Sequence, residues 1–279
     1  MYANKIHIVI SLVIILFGTN TFGQDLSIVS WNLKDFGQSR DDEEILLIAQ
    51  EIKHADIVAI QEVVAKHPGG VQAVARLADQ LNRMGSKWDY TYSDPTGDES
   101  PNKRERYSFL WKPSKVKLKH PIKLVDELDV SVCREPALAL FQYQEEIISI
   151  LNYHACTHTK YYPERNEIKV ITDWIQMQNY NNLIWCGDMN LKIDDVAFNN
   201  AFKYGYKSAL DGHKTSLKKS CKEGNYLSRA EDNILFKLHN AIAEGHVIDF
   251  ISNGDCNDVV WKRNSYSDHL PVHLNLTIK

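Results

Sequence analysis

Polar side chains able to do chemistry recur in this sequence where apolar runs stop. Asn32 follows Ser27-Ile28-Val29-Ser30-Trp31, and Glu62 follows Ile57-Val58-Ala59-Ile60-Gln61. His154 follows Ile150-Leu151-Asn152-Tyr153, Asp188 and Asn190 follow Ile184-Trp185-Cys186-Gly187, and Asp268-His269 precedes Leu270-Pro271-Val272. Each alone has a plain structural explanation: a capping Asn, a surface Glu, a hydrogen-bonded core His, or an Asx turn at Asp188 and Asn190. Together they point to one site, because ligand crevices of α/β proteins lie beyond the carboxyl ends of strands. Gly187, just before Asp188, lets the backbone approach a ligand closely or take a positive φ.

The chemistry that needs this set is phosphoester hydrolysis. Carboxylate and carboxamide oxygens hold a hard divalent cation, Mg²⁺ foremost, with Ca²⁺ or Mn²⁺ as alternatives. Such a cation neutralises phosphate charge and stabilises the pentacovalent transition state. Two histidines can divide the proton work, one activating water and one protonating the leaving oxygen. Each needs a carboxylate to fix its tautomer, and Glu105 and Asp232 are candidates for that task.

These residues need elements to position them. Residues 26–31 read as a strand ending at Asn32, and residues 56–60 as a buried strand ending at Gln61-Glu62. Between them Asp41-Asp42-Glu43-Glu44 opens a helix whose apolar Ile45, Ile48, Ala49 and Ile52 recur at helical spacing. Pro68 can start another, with Val71, Val74, Leu77 and Leu81 on one face. Residues 90–93 read as a short strand and 94–102 as a turn-rich loop. Strand candidates follow at 107–111, 115–119, 137–143 and 147–153. In the second, Lys115, Lys117 and Lys119 form a basic face that solvation explains better than phosphate contact. Residues 163–178 read as a helix leading into the Asp188 strand. Beyond it the pattern weakens until strands at 233–236, 247–252 and 272–278. With no linker, repeat or low-complexity segment, residues 24–279 describe one continuous α/β domain.

A chain of 279 residues, 44% hydrophobic and 24% charged, can bury a sizeable core and shows no compositional sign of disorder. The formal net charge of −4 does not advertise a nucleic-acid partner. It does not exclude one either, since a nuclease gripping phosphate through a cation need not be basic. Residues 1–23 read as a signal peptide. Lys5 is the only charged side chain before Asp25, and residues 8–17 form an apolar run too short to span a bilayer. Thr21 and Gly23 are the small residues a signal peptidase reads, so cleavage is expected between Gly23 and Gln24. The expected location is secreted or periplasmic, and no cysteine follows the apolar run to carry a lipid anchor. The cysteines are Cys133, Cys156, Cys186, Cys221 and Cys256, an odd count that leaves at least one thiol outside any internal bridge. Cys186 lies in a buried-looking strand and should pack as a small hydrophobe. Cys221 and Cys256, both in polar loop-like sequence, are the favoured bridge.

The Trp31-Asn32 strand, Gln61-Glu62, Gly187-Asp188-Met189-Asn190 and Ser267-Asp268-His269 resemble, in order and spacing, the motifs of the endonuclease/exonuclease/phosphatase superfamily. The resemblance covers essentially the whole chain after residue 23, and is greatest to the secreted deoxyribonuclease I group. Glu105-Arg106-Tyr107-Ser108-Phe109-Leu110 resembles that group's strand with a catalytic glutamate, and Arg134-Glu135-Pro136-Ala137 its phosphate-contacting arginine segment. Glu231-Asp232-Asn233-Ile234 resembles the segment whose aspartate supports the second histidine. The resemblance implies an α/β (α+β) fold, a four-layer sandwich of two packed β-sheets flanked by helices. It implies His154 with Glu105 as general acid and His269 with Asp232 as general base. Glu62, with Asn32 and Asp268 in or near the shell, would hold the metal. Asp188 and Asn190 would orient phosphate or a second cation, and Arg134 would grip a flanking phosphate.

The expected activity is therefore that of a secreted, divalent-metal-dependent endonuclease acting on DNA, with RNA as the alternative. It is expected to be a monomer without stable membrane association. Two departures bear on substrate choice: Val64 and Lys103 stand where the group carries an arginine and an exposed tyrosine that enter the minor groove. Lys103 and Arg104, just before Glu105, supply charge near the reacting phosphate without reading bases, so low sequence specificity is expected. The rival is a phosphoesterase of the same superfamily acting on a phospholipid, as a sphingomyelinase does, or on a sugar or inositol phosphate. A membrane-docking aromatic hairpin would favour the lipid substrate, and the sequence has none. A binding protein on this scaffold would be expected to have lost some of the histidines or carboxylates, and all are present.

Overall fold

The computed structural model describes residues 25–98, 100–157, 161, 163–251 and 255–278, and the expected signal segment lies outside them. From the amino end, β1 (Asp25–Phe36) leads into α1 (Asp42–Ile52), β2 (Ile57–Val64), α2 (Gly69–Arg83) and β3 (Asp89–Tyr92). Next come β4 (Glu105–Trp111), β5 (Lys117–Leu118), β6 (Lys123–Leu124), β7 (Ala137–Tyr143) and β8 (Glu146–His154). They are followed by α3 (Glu164–Met177), β9 (Leu183–Asp188), α4 (Asn199–Lys203) and β10 (Lys207–Ser208). The chain closes with β11 (Leu217–Lys222), β12 (Asn225–Leu227), β13 (Asp232–Lys237), β14 (Ala241–Val247), α5 (Cys256–Ser265) and β15 (Val272–Ile278).

The strands form two mixed sheets and a small β11–β12 hairpin. The first sheet has the order β14-β15-β1-β2-β4-β3, and the second β10-β13-β9-β8-β7-β5 with β6 also on β7. Their facing sides share one core in which Ile28, Phe109, Phe141, Ile150, Ile234 and Leu274 interdigitate. Strict alternation, as in Ala137, Ala139, Phe141 and Tyr143 of β7, places every second side chain there. The outer side of the first sheet packs under α1 and α2, and that of the second under α3 and α4. The result is the four-layer sandwich, two sheets flanked by helices. Among the described residues no helix is long and apolar enough to cross a membrane.

Parallel crossovers decide which residues meet. α1 connects β1 to the parallel β2, and α3 connects β8 to the parallel β9. Both pairs therefore end on the same edge, Asn32 beside Gln61 and His154 beside Asp188. The antiparallel β13 enters at that edge, setting Asp232 opposite Asp188. Local chemistry supports the crossovers. Asp41 caps α1 by accepting from the Glu44 backbone while the Glu44 side chain accepts from the Asp41 backbone. Just before this cap, Arg40 is buried and donates to the carbonyls of Leu33, Lys34, Asn264 and Ser265, binding the end of β1 to the end of α5.

Several sequence expectations are corrected. The strand expected at 247–252 ends at Val247, because the Asp249 carboxylate accepts from the Ile251 backbone and the Tyr226 hydroxyl and turns the chain; Ser252 lies outside the described residues. The strand expected at 115–119 is ordered only over Lys117–Leu118. Val71 is only partly buried, while Ala73 and Ala78 join Val74, Leu77 and Leu81 under α2. Cys221 does bridge Cys256, and Cys186 is free and buried. The second disulfide, Cys133–Cys156, was not anticipated.

Gly187 lies in β9 with φ +139°, and a Cβ there would come within 1.8 Å of the Tyr153 carbonyl oxygen on β8. Gly85 also has positive φ, +101°, but a Cβ there meets nothing within 4 Å. Gly85→Ala should therefore cost roughly 1 kcal/mol, the dihedral strain alone. Gly187→Ala adds overpacking of about 1–3 kcal/mol to that. Urea unfolding of both variants measures the difference, and equal losses would contradict the close β8–β9 approach.

Candidate active site

Asn32 is fully buried, and its carboxamide lies at the floor of a cleft. Nδ2 donates to Glu62 Oε1 at 2.9 Å and to Asp188 Oδ2 at 3.1 Å, while Oδ1 accepts from the Lys34 backbone at 2.9 Å. Glu62 reaches this place through a register shift in β2 and a left-handed backbone, φ +60°. Its Oε2 accepts from the Asp35 backbone at 2.9 Å. Lys34, Asp35 and Asn190 around it are also left-handed, at φ +41°, +48° and +51°. Such conformations in non-glycine residues cost on the order of 1–3 kcal/mol and cluster at functional sites.

The two histidines are held alike. His154 Nδ1 lies 2.9 Å from Glu105 Oε2, and His269 Nδ1 lies 2.8 Å from Asp232 Oδ2. Each Nδ1–H therefore donates to its carboxylate and each Nε2 turns toward the cleft. There the Nε2 atoms stand 3.6 Å and 3.7 Å from the same oxygen, Asp188 Oδ2. Asp232 is fixed in turn by the Thr215 hydroxyl at 2.6 Å. The His269 loop is pinned by Ser267, whose hydroxyl donates to the Asn32 carbonyl at 2.5 Å, and by the Trp31 indole donating to the His269 carbonyl at 2.8 Å. Asp188 has two tasks. Oδ1 accepts from the Asn190 backbone at 3.0 Å, the Asx turn weighed above, and Oδ2 faces the histidines.

Burial works against charge here, and the partners decide the outcome. Burial raises the Glu105 carboxyl, but Arg134 and then His154 outweigh it and hold it below its usual value. Burial lowers His154, but Glu105 outweighs it and leaves the ring raised. Burial likewise lowers His269, and Asp232 with Asp188 lifts it well above the usual imidazole value. Asp188 is raised by burial and by Asp232.

The resemblance-based residues meet here, and Arg134 and Asp268 have close ionic partners of their own. Arg134 is buried against Glu105 Oε2 at 3.3 Å, and its Nε donates to Asp98 Oδ2 at 3.2 Å. Its guanidinium thus forms part of the cleft wall and braces Glu105. Arg134 Nη1 is also 3.0 Å from His154 Nδ1; since that nitrogen's proton points at Glu105, the carboxylate is the arginine's acceptor. The arginine is tethered through its neighbour Cys133, which bridges Cys156, two residues beyond His154, and whose backbone donates to buried Glu167 at 2.5 Å. Asp268 is paired with Lys34 at 2.8 Å and Arg263 at 2.7 Å, which hold its carboxyl below the usual value against burial. Lys103 and Arg104 line the cleft, a cavity of about 410 Å³, with Glu62, Glu105, His154, Asp188, Asn190 and His269. Lys66, which the sequence offers beside Lys103 and Arg104 as a source of charge, lines it too, as do Asp35 and Arg229, which the sequence does not single out. Nothing distinguishes these two from other surface charges until the loops are placed.

The donor set suits a hard divalent cation. Two carboxylates, Glu62 and Asp188, share one neutral amide donor, and Asp188, Asp232 and His269 bring ligand atoms within 4.8 Å of one another. Clustered carboxylate oxygens are what such an ion requires. The other close group, Asp98 with Cys133 and Cys156, is unsuited because both sulfurs are in the disulfide.

Comparison with known proteins agrees with this geometry. The model of the Endonuclease/Exonuclease/phosphatase family matches residues 29–269. Deoxyribonuclease-1 of Bos taurus is 29% identical over 189 residues, 64% of this chain and 65% of that protein. A deoxyribonuclease of Thioalkalivibrio sp. (strain K90mix) is 33% identical over 122 residues, 42% of this chain and 31% of that protein. The chain thus spans 65% and 31% of the length of these two relatives. Among solved structures, an endonuclease/exonuclease/phosphatase family protein of Bacteroides thetaiotaomicron superposes with a TM-score of 0.64 at 13% identity, over 92% of this chain and 98% of that one.

The His269–Asp232 pair predicts a pH dependence of stability. A pKa raised on folding contributes stability that is complete below the unfolded value, about 6.5, and is lost as pH rises through the folded value. In chelator, His269→Gln should therefore lower Tm more at pH 6 than at pH 9. An equal deficit at both pH values would show that the folded ring is not held protonated.

Proposed function

The chain belongs to the endonuclease/exonuclease/phosphatase family, and on that premise we propose that it is a secreted, divalent-metal-dependent endonuclease cutting DNA with low sequence specificity. The observation that carries this is the convergence of both Nε2 atoms on Asp188 Oδ2 beside Glu62, in an open cleft edged by Lys66, Lys103, Arg104 and Arg229. The two relatives named deoxyribonucleases support the choice of DNA among phosphoesters. The signal-like residues 1–23 support export, with cleavage after Gly23, and the protein is proposed to act as a monomer without stable membrane association.

A divalent cation held by Glu62 and Asp188 would supply neutralisation of phosphate charge. The remaining work belongs to side chains. His269 Nε2 takes a proton from water, and the oxygen forms a bond to phosphorus. The bond from phosphorus to the leaving oxygen breaks, and His154 Nε2 gives that oxygen a proton. Asp232 and Glu105 hold the two rings in the tautomers this exchange needs. A base must start unprotonated, so turnover rises with pH as His269 gives up the proton that Asp232 and Asp188 hold on it. Asn32 keeps Glu62 and Asp188 in register, and Asn190 donates through Nδ2 to the Ala155 carbonyl at 2.9 Å, fixing the turn after Asp188. Val64 in the cleft wall presents no hydrogen-bonding group to a base edge, which favours cleavage without sequence preference.

Excess chelator should abolish plasmid nicking, and Glu62→Gln should lower turnover by about 10²-fold or more with Tm little changed. Full activity in chelator would overturn the metal-dependent reading. Lys103→Ala with Arg104→Ala should weaken DNA binding and lower the slope of log affinity against log salt by about 0.9 per phosphate contact removed. Lys117→Ala, which alters a residue outside the cleft, should do little. An unchanged slope in the double variant, together with faster turnover of a phospholipid or sugar phosphate, would leave phosphoester hydrolysis standing and remove the nuclease assignment.

A further inference from the structure

A pair of histidines lies outside the chemistry described above. His246 on β14 and His273 on β15 stand directly opposite each other across the antiparallel pair. They lie on the face of the first sheet turned away from the inter-sheet core, since Val272 and Leu274 on either side of His273 point into that core. The ring centroids are 4.5 Å apart with planes inclined at 52°, and the two Nδ1 atoms are 3.4 Å apart.

That separation is informative. With a proton on one ring the Nδ1···Nδ1 contact is a long hydrogen bond, beyond the usual value of about 2.9 Å, and the same spacing suits a shared cation. Two imidazole nitrogens each about 2.1 Å from a tetrahedral ion stand about 3.4 Å apart. The other nitrogen of His273, Nε2, lies 2.6 Å from Ser27 Oγ. With its Nε2–H donated to that hydroxyl, Nδ1 is left with its lone pair facing His246. Metal-bound histidines generally have such a partner on the second nitrogen, fixing tautomer and ring orientation. Ser27 is itself anchored, its backbone N–H donating to the Asp56 carboxylate at 3.1 Å.

We propose that His246 and His273 form a two-histidine site for a first-row transition cation of the zinc class. Imidazole nitrogens select zinc, copper or nickel, whereas Mg²⁺ and Ca²⁺ prefer the oxygens of the cleft. His246 is exposed, so an ion reaches the pair from solvent, and water completes its coordination. The site has a structural consequence. Among the described residues β14 stands at the edge of the sheet, paired with β15, and the cation cross-links the two.

The test is calorimetric titration of the full chain with zinc chloride in excess Mg²⁺, which occupies the oxygen sites. Wild type should bind one zinc more than His246→Gln, and its Tm should rise with zinc while that of His246→Gln does not. Ser27→Ala should weaken zinc binding by about tenfold or more. Co²⁺ should give the visible absorption of a tetrahedral nitrogen-ligated ion in wild type only. DNA cleavage in Mg²⁺ should be the same in His246→Gln as in wild type. His246 is exposed, so His246→Gln is the decisive variant if His273→Gln proves unstable. Identical zinc isotherms and identical zinc-dependent Tm shifts in wild type and His246→Gln would overturn the proposal.

Discussion

The cleft is built on contacts that cross from one sheet to the other. The Asn32 carboxamide on β1 donates to Glu62 in its own sheet and to Asp188 at the end of β9 in the second. The acid and base pairs cross in the same way. Glu105 of β4 in the first sheet orients His154 of β8 in the second, and Asp232 of β13 in the second orients His269, just ahead of β15 in the first. Beneath them, Gln61 on β2 donates to Asn152 on β8 at 2.6 Å. Any slip of one sheet over the other therefore breaks every proton-handling pair together. Interdigitated packing of the facing apolar residues resists that slip.

This arrangement concentrates negative charge where water is scarce. Asp188 and Asp232 are buried, and both approach His269. Carboxylates in such a place are costly unless paired with cations or hydrogen-bond donors. Arg134 serves Glu105, the histidines serve Asp188 and Asp232, and Lys34 with Arg263 serves Asp268. Glu62 has a neutral amide and a backbone N–H as its close donors, so the carboxylate least compensated by positive charge lies on the side of the cleft where a divalent ion would do most for phosphate.

Some elements announce themselves locally and others cannot. α1 is legible because its capping box and its apolar spacing are both written within residues 41–52. α5 is not: Val259 is fully buried while its neighbours Val260 and Trp261 are about half exposed, so no single apolar stripe marks the helix. Its position depends on the distant Cys221 and on Arg40. Among site residues, Asn32, Glu62, His154, Asp188 and His269 stood out because each interrupts an apolar run. Asp35 and Arg229 lie in polar sequence, where one more charge carries no signal.

The sequence by itself determined the residue types, their placement at strand ends, and hence the fold class and the family, because burial periodicity and chain punctuation are local properties. It also determined that Cys186 would be buried, since it lies within an unbroken apolar strand. Only the tertiary structure decided partnership. It turned Arg134 inward against Glu105, tied Asp268 to Lys34 and Arg263, and closed Cys133 onto Cys156. It also set His246 against His273. The physical reason is that ion pairs, disulfides and shared ligands depend on distances between residues far apart in the chain, and those distances exist only once two sheets have been packed in register.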